Sequence, residues 1–410
     1  MPTWQQLRVL VLFSIGYFTS YIFLGVNGGF SPHLIHDLGL SAADLGMLTS
    51  LHFLGFAIAQ IPGGVMLDHF GARRSVAGLL LITVLGAVIY SQAHTLAGLM
   101  AGRFLIGFGV AATLPGAFKA LAQLFAIQRV PMVNGIVLAL GGLGGVVVGW
   151  PLTWLLSMTD WRTICSGMAM FSAWAAFALW FGAPWDRELC HKATILTQFK
   201  GTWQILCNST FWKITSLPAV VQATFLAMQS LWLGAYLRDV CLLPASQAAA
   251  MISMVSLAMI SGYLFIGIAA RSLERFGLNL YRVCGIGMLV FVLTQILIVL
   301  QVPLPPSLLC ASYGISASSS ILGYAILTES FPEQMIGRAS TAFTLVMFIL
   351  GFLIQIAVGA VLNHWPRING HYPVVAHLSA WSALIALQAI SAVWYFFPTR
   401  LKQAISHNAA

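Results

Sequence analysis

Charge is scarce in this chain. Asp, Glu, Lys and Arg make up 7% of its 410 residues, against about 25% in soluble domains. That deficit excludes one water-soluble core. Acids are scarcer than bases, with ten Asp and Glu against nineteen Lys and Arg. None of the acids sits in the middle of a long apolar run; Asp37, Asp44, Asp160, Asp239 and the others fall in loops or at helix ends. The six cysteines, at 165, 190, 207, 241, 284 and 310, show no CxxC spacing. They read as small apolar filler and reduced thiols, not as a metal or dithiol site. There is no metal-ligand cluster, no phosphate-binding loop and no nucleophile–base set, and the loops are too short to house a catalytic domain. An enzyme, a metal and a cofactor are therefore not expected. No cleavable leader is evident, and the first apolar run reads as a span. The sequon at Asn208 falls on the side expected to face the cytoplasm, where it carries no meaning.

What is present is apolar. Hydrophobic residues form 59% of the chain and the mean hydropathy is +0.90. Twelve apolar runs lie at about 8–30, 45–66, 75–94, 97–121, 132–155, 163–183, 212–235, 247–270, 282–301, 307–328, 339–362 and 377–397. Each has the roughly 20 residues that a helix needs to cross about 30 Å of hydrocarbon. The expected fold class is an all-α integral membrane protein with twelve transmembrane helices, its apolar surface buried against lipid.

The net charge of +9 could suggest nucleic acid, but its distribution does not. With the N-terminus inside, the cytoplasmic loops and adjoining helix ends hold fifteen Lys and Arg; the other side holds four, Arg103, Arg162, Arg238 and Arg367. That asymmetry is the positive-inside pattern. It places both termini in the cytoplasm and removes nucleic acid as a partner. Short loops and short tails associate the chain with a bacterial inner membrane.

The longest polar stretch between spans, 184–211, reads as a cytoplasmic linker between two six-helix bundles, 1–183 and 212–410. A shift of 206 residues lays Asp68-His-Phe-Gly71 on Glu274-Arg-Phe-Gly277 and Phe125-Ala-Ile-Gln128 on Phe331-Pro-Glu-Gln334. Two matches at one offset point to duplication. Asn279 and Leu280 stand where the first copy has Arg73 and Arg74, so the second copy is degraded.

The best-marked loop runs from Gln60 to Arg74. Its pattern, Gly64-x-x-x-Asp68-x-x-Gly71-x-Arg73-Arg74, resembles the loop 2–3 signature of the major facilitator superfamily of membrane transporters. The resemblance, which covers the twelve spans, the repeat and the central loop, implies two bundles that rock around a central site. It implies that Asp68 faces the start of helix 11, a helix N-terminus that favours an anion. It also implies that Arg73 and Arg74 pair with carboxylates, for which Glu329 and Glu333 are the partners we expect. Gly64 and Gly71 would allow close helix approach and a tight turn. His69 departs from the basic residue usual there. The blander reading makes Asp68 a helix cap and the arginines topology anchors.

Arg103-Phe-Leu-Ile-Gly107-Phe-Gly109, with Pro115 after it, resembles the family's helix 4 motif. An arginine within a span is costly and points to function; the alternative is a side chain snorkelling to the surface. Lys119 lies about 24 Å further along the same helix at 1.5 Å per residue and reads as an interfacial anchor. By resemblance, helices 1, 4, 7 and 10 line the cavity with Tyr17, Tyr21, Asn27, Arg103, Gln222, Gln229, Tyr313, Ser316, Ser320 and Tyr324. His52 and Gln60 on span 2 and Gln355 on span 11 are further candidates. Any one of these is equally an interhelical hydrogen bond. A fixed positive charge without a buried acid favours an anionic or neutral organic solute over a cationic drug.

The expected activity is secondary active transport by a monomer in lipid, with proton-coupled uptake. A nitrate porter is disfavoured, because spans 2 and 8 hold no arginine before Arg271 and no asparagine joins the glycines at 141–145. Gly135, Gly144 and Gly149-Trp-Pro151 partly match an exporter's helix 5, so efflux stays open. A membrane sensor or assembly factor on the same fold would have no need of the charged loop.

Overall fold

The computed structural model describes residues 4–126, 129–184, 194–275, 279–368 and 370–397. Among the described residues, eleven helices are long and apolar enough to cross a membrane. One of them, Ala42–Gln92, has 51 residues. At 1.5 Å per residue it would be about 77 Å long, more than twice a hydrocarbon core of about 30 Å. It is two helices joined at Gly71, whose φ of 76° and ψ of 170° lie outside the helical region. A side chain there would strain that backbone, and glycine carries it freely.

The twelve spans are α1 (Trp4–Leu38), α2 (42–70), α3 (72–92), α4 (Leu96–Ala122), α5 (Met132–Leu156), α6 (Trp161–Gly182), α7 (Ser209–Asp239), α8 (Ala245–Arg275), α9 (Leu280–Val299), α10 (Pro306–Ser330), α11 (Glu333–Asn363) and α12 (Val374–Phe396). A short helix, Ile195–Leu206, stands between α6 and α7. Several polar residues that punctuate the apolar runs are caps. Ser41 and Asp44 form a capping box at the start of α2, and Thr95, Asp160, Asn208 and Asn279 cap α4, α6, α7 and α9. Each satisfies N–H groups that the first helical turn leaves open.

Two spans are irregular in mid-course. A π turn covers Met228–Trp232 in α7, and a 3-10 turn covers Ser318–Ile321 in α10. Both set polar side chains off the regular helical pitch. The outer surface is apolar: Leu81, Phe177, Phe181, Ile390 and Val393 are each more than half exposed. That surface belongs in lipid, and the chain is a multi-pass membrane protein.

Helices α1 to α6 and α7 to α12 form two groups that meet through three pairs, α1 with α7, α2 with α11, and α5 with α8. α1 starts and α2 ends at one face of the bundle, where the linker helix also lies; we call it the linker face. The opposite end is the far face.

Candidate functional site

At the seam between the two groups stands a set of uncharged polar side chains. Tyr17 and Tyr21, one turn apart on α1, meet edge to face with ring centroids 5.2 Å apart. The Tyr21 hydroxyl points at Met259 Sδ on α8, 3.9 Å away. Tyr263 on α8 and Tyr324 on α10 are neighbours of this pair. Tyr263 reaches Gln222 on α7, and the Gln222 carbonyl accepts from Ser320 Oγ in the 3-10 turn. Gln229, in the π turn, donates to Ser256 Oγ on α8 at 2.7 Å. Tyr324 shares a 2.8 Å hydrogen bond with Thr344 on α11. The group draws on helices from both halves, and it contains no charged side chain among the described residues. Such a site can stack rings against a solute and exchange hydrogen bonds with its hydroxyls.

Arg103 is not part of this group. It is 1% exposed, and its partners lie in the first half. Nη1 donates to the Phe23 carbonyl at 2.7 Å, Nη2 donates to Asn27 Oδ1, and the guanidinium lies 4.8 Å from the centre of the Tyr90 ring. Tyr90 Oη donates to the same Asn27 oxygen at 2.9 Å, and Asn27 Nδ2 donates to Thr49 Oγ1 at 3.0 Å. One cation therefore ties α1, α2, α3 and α4 together, as a buried charge requires partners. This differs from the expectation that Arg103 and Asn27 face a solute: the amide, carbonyl and ring enclose the guanidinium, and its buried Nε is left without a partner. His52 is likewise buried, beneath the backbone approach of Gly107 from α4. Tyr313 packs inside the second half, with ring centroids 5.5 Å from Phe225, 4.7 Å from Phe291 and 5.9 Å from Trp381. Ser316 donates to the Ser312 carbonyl of its own helix at 2.5 Å. Gln60 donates back to Phe56 O within α2. Gln355 reaches from α11 to Ala227 O and Ser230 Oγ in α7 at 2.9 and 2.8 Å.

At the linker face, Asp68 Oδ1 pairs with Lys119 Nζ at 2.8 Å, and Lys119 also donates to Leu67 O at 2.7 Å. Lys119 is therefore the partner of the loop acid, not a simple anchor. The sequence placed it on α4, but only the packing of α4 against α2 brings it there. The other Asp68 oxygen accepts from Gln198 of the linker helix at 3.2 Å. Arg73 Nη1 donates to Ala183 O at the end of α6, 3.0 Å away. Glu329 is exposed near the end of α10. Gly277 lies outside the described residues, as do the side chains of Glu274 and Glu333. A Cβ added at Gly64 would meet nothing within 4 Å, so the close helix approach expected there is not made; Gly71 does form the turn.

The far face differs. There all three cross-half pairs touch backbone to backbone. A Cβ at Gly28 would lie 2.9 Å from Ser230 O, one at Gly46 2.6 Å from Gln355 O, and one at Gly149 2.5 Å from Ala249 O. The Ala42 N–H also donates to the Tyr372 hydroxyl at 3.1 Å, across the halves. Asp239, at the end of α7, holds that segment. Its carboxylate sits 2.8 Å from His371 Nδ1 and 3.0 Å from His377 Nε2, and accepts from the Tyr372 N–H at 3.3 Å.

Sequence reasoning missed Tyr263, Ser256 and this Asp239 cluster. Tyr263 and Ser256 lie on α8, outside the four helices that the resemblance singled out. Their seven-residue spacing, two helical turns, was the available signal. His371 and His377 come from another loop and helix than Asp239, and no local pattern joins them.

Comparison with known proteins agrees with this architecture. The family model for the Major Facilitator Superfamily matches residues 13–355. The "Probable nitrate/nitrite antiporter NarK1" of Thermus thermophilus is 24% identical over 95% of this chain and 91% of its own. The "Glucose transporter GlcP" of Staphylococcus epidermidis is 23% identical over 93% of this chain and 84% of its own. Among solved structures, a D-xylose-proton symporter superposes with a TM-score of 0.74 at 13% identity, covering 96% of this chain and 98% of that one. The nucleoside transporter NupG gives 0.73 at 16% identity, covering 97% and 100%.

Proposed function

The chain belongs to the major facilitator superfamily, and from that premise we propose that it imports a small polar organic solute by alternating access, driven by protons. The carrying observation is the uncharged group of Tyr17, Tyr21, Tyr263, Tyr324, Gln222 and Ser320, which both halves contribute. A site shared between halves is one that rocking takes apart and rebuilds. Hydroxyls and amides on rings and short stems suit a hydroxylated, uncharged body. The absence of a buried carboxylate beside them disfavours a cationic amphiphile. With Arg103 enclosed, the argument for an anion at the centre lapses, and the neutral half of the sequence expectation is the one we keep. Relatives named for glucose, xylose and nucleosides accord with that choice better than the one named for nitrate.

We place the linker face in the cytoplasm, on the charge asymmetry of the loops; the bundles would then be 1–183 and 212–410. In this frame the glycine contacts close the outside. Asp68, Lys119 and Gln198 would act as the inner switch, joining α2, α4 and the linker helix. Support for protons as the driving ion is the pair of Asp239 and His377, the latter side chain 3% exposed, at the outer end of α7 and α12.

Uptake of labelled xylose, uridine, nitrate and a cationic dye into proteoliposomes tests the reading. We expect a neutral hydroxylated solute to enter, with KM raised about tenfold or more, roughly 1.4 kcal/mol, in Gln222→Ala and Tyr21→Phe. Transport of nitrate or the dye alone would overturn it.

A further inference from the structure

A cavity of about 280 Å³ lies near the far face between α1 and α5 of the first half and α7 and α8 of the second. Arg238, His33, Gln229, Thr153, Ser157 and Ala245 are among the residues that line it. Arg238 is partly buried. Among the described residues no carboxylate forms an ion pair with it; the adjacent Asp239 acts on it through space while its oxygens hold His371 and His377. Ala245 is the first residue of α8. The first hydrogen bond of that helix runs from the Ala248 N–H to Pro244 O at 2.9 Å, so the N–H groups before it have no acceptor within the helix. The cavity thus combines a guanidinium that makes no direct ion pair with the positive end of a 31-residue helix.

We propose that this cavity is a binding site for a small organic carboxylate, on the far-face side of the uncharged central group, with Gln229 at the border of the two. Both ends of the argument select an anion. Arg offers a planar fork that fits a carboxylate with two hydrogen bonds, and a helix N-terminus attracts negative charge through its free N–H groups and dipole. Thr153 and Ser157 line the α5 side, where their hydroxyls donate to Gly149 O and Trp154 O at 3.3 and 2.6 Å. The volume lies below the roughly 300–1,000 Å³ of sites for drug-sized ligands, so the occupant is a few-carbon acid and not a nucleotide. The site has a mechanical consequence. Its walls belong to both halves, so an occupant binds the far-closed arrangement and stabilises it over the open one. Such an acid, supplied from the far side, would slow the transport cycle by holding that arrangement.

The same chemistry could come from a lipid phosphate, and the test separates the two sources. The full chain is placed in nanodiscs of phosphatidylcholine, and its melting temperature is followed while sodium lactate replaces sodium chloride at constant ionic strength. We expect a saturable rise in wild type and none with neutral lactamide. Half-saturation should weaken at least tenfold in Arg238→Gln and to an intermediate degree in Arg238→Lys. Ser157→Glu, at an exposed position on the α5 side, should weaken it as well while leaving Arg238 in place, which guards against a folding defect in the arginine variants. An equal rise with lactamide, or unchanged half-saturation in both Arg238→Gln and Ser157→Glu, would overturn the site. So would an Arg238-dependent rise on exchanging phosphatidylcholine for phosphatidylglycerol, with no further effect of lactate. This readout needs no transport: lactate binding without uptake of any solute would sink the transport reading alone, and uptake without lactate binding would sink this one alone.

Discussion

Asp68 and Lys119 form an ion pair that contributes little to stability. Their side chains are about one-third exposed, 34% and 30%, and exposed pairs contribute about 0.2–1 kcal/mol. Asp68→Asn should therefore leave the melting temperature nearly unchanged. If the pair switches conformation, turnover should fall about tenfold, equivalent to roughly 1.36 kcal/mol in the barrier, with substrate affinity little altered; single-turnover uptake beside equilibrium binding would show it. Arg103 is the opposite case. Arg103→Gln removes hydrogen bonds from a charged donor, worth about 1.5–3 kcal/mol each, and strands Phe23 O and Asn27 in the interior. It should lower stability by about 3–5 kcal/mol, measured by chemical unfolding in detergent, whatever solute is carried. If the Asp239–His377 pair couples uptake to protons as proposed, His377→Gln should abolish uptake driven by a proton gradient while leaving solute exchange intact.

Among the elements, the contrast between the two faces is written in glycine. Gly28, Gly46 and Gly149 bring the backbones of three helix pairs together at the far face, while Gly64 at the linker face has open space beside it. A Cβ at any of the first three would strike backbone, which cannot move aside as a side chain can. Gly149→Val should hold the far face apart, raising the rate at which a membrane-impermeant maleimide labels a cysteine placed at Gln229 by at least tenfold. Gly64→Ala should leave that rate unchanged. The linker helix is a second element with a legible role. It turns Leu196, Phe199 and Trp203 outward and buries Gly201 and Ile205, the pattern of a helix lying in a membrane interface. It also carries Gln198 to Asp68. The sequence reading took 184–211 as polar linker and saw no helix there, because one 12-residue amphipathic segment is a weak signal beside twelve apolar spans.

At the scale of the whole molecule, the twelve spans, the two-bundle plan and the membrane followed from the chain alone. Lipid admits few alternatives to helices of about 20 apolar residues, so composition and run length constrain the answer strongly. The loop from Gly64 to Arg74 was legible for the same reason: charge between two spans is conspicuous. The partners of that charge were not legible. Lys119 lies 51 residues from Asp68 and Gln198 lies 130 residues away, and no period or spacing links them. Arg103 was conspicuous too, and its apparent place in a cavity was undone by Asn27, Tyr90 and Phe23, which surround it only once four helices pack. The sequence by itself determined which segments enter the membrane, in what order and with which polar residues on board. Only the tertiary structure decided which of those residues meet across the seam, which are enclosed within one half, and at which face the backbones of the two halves come together. Hydrophobicity is additive along a chain and can be read from it; a polar contact depends on where a second helix comes to rest.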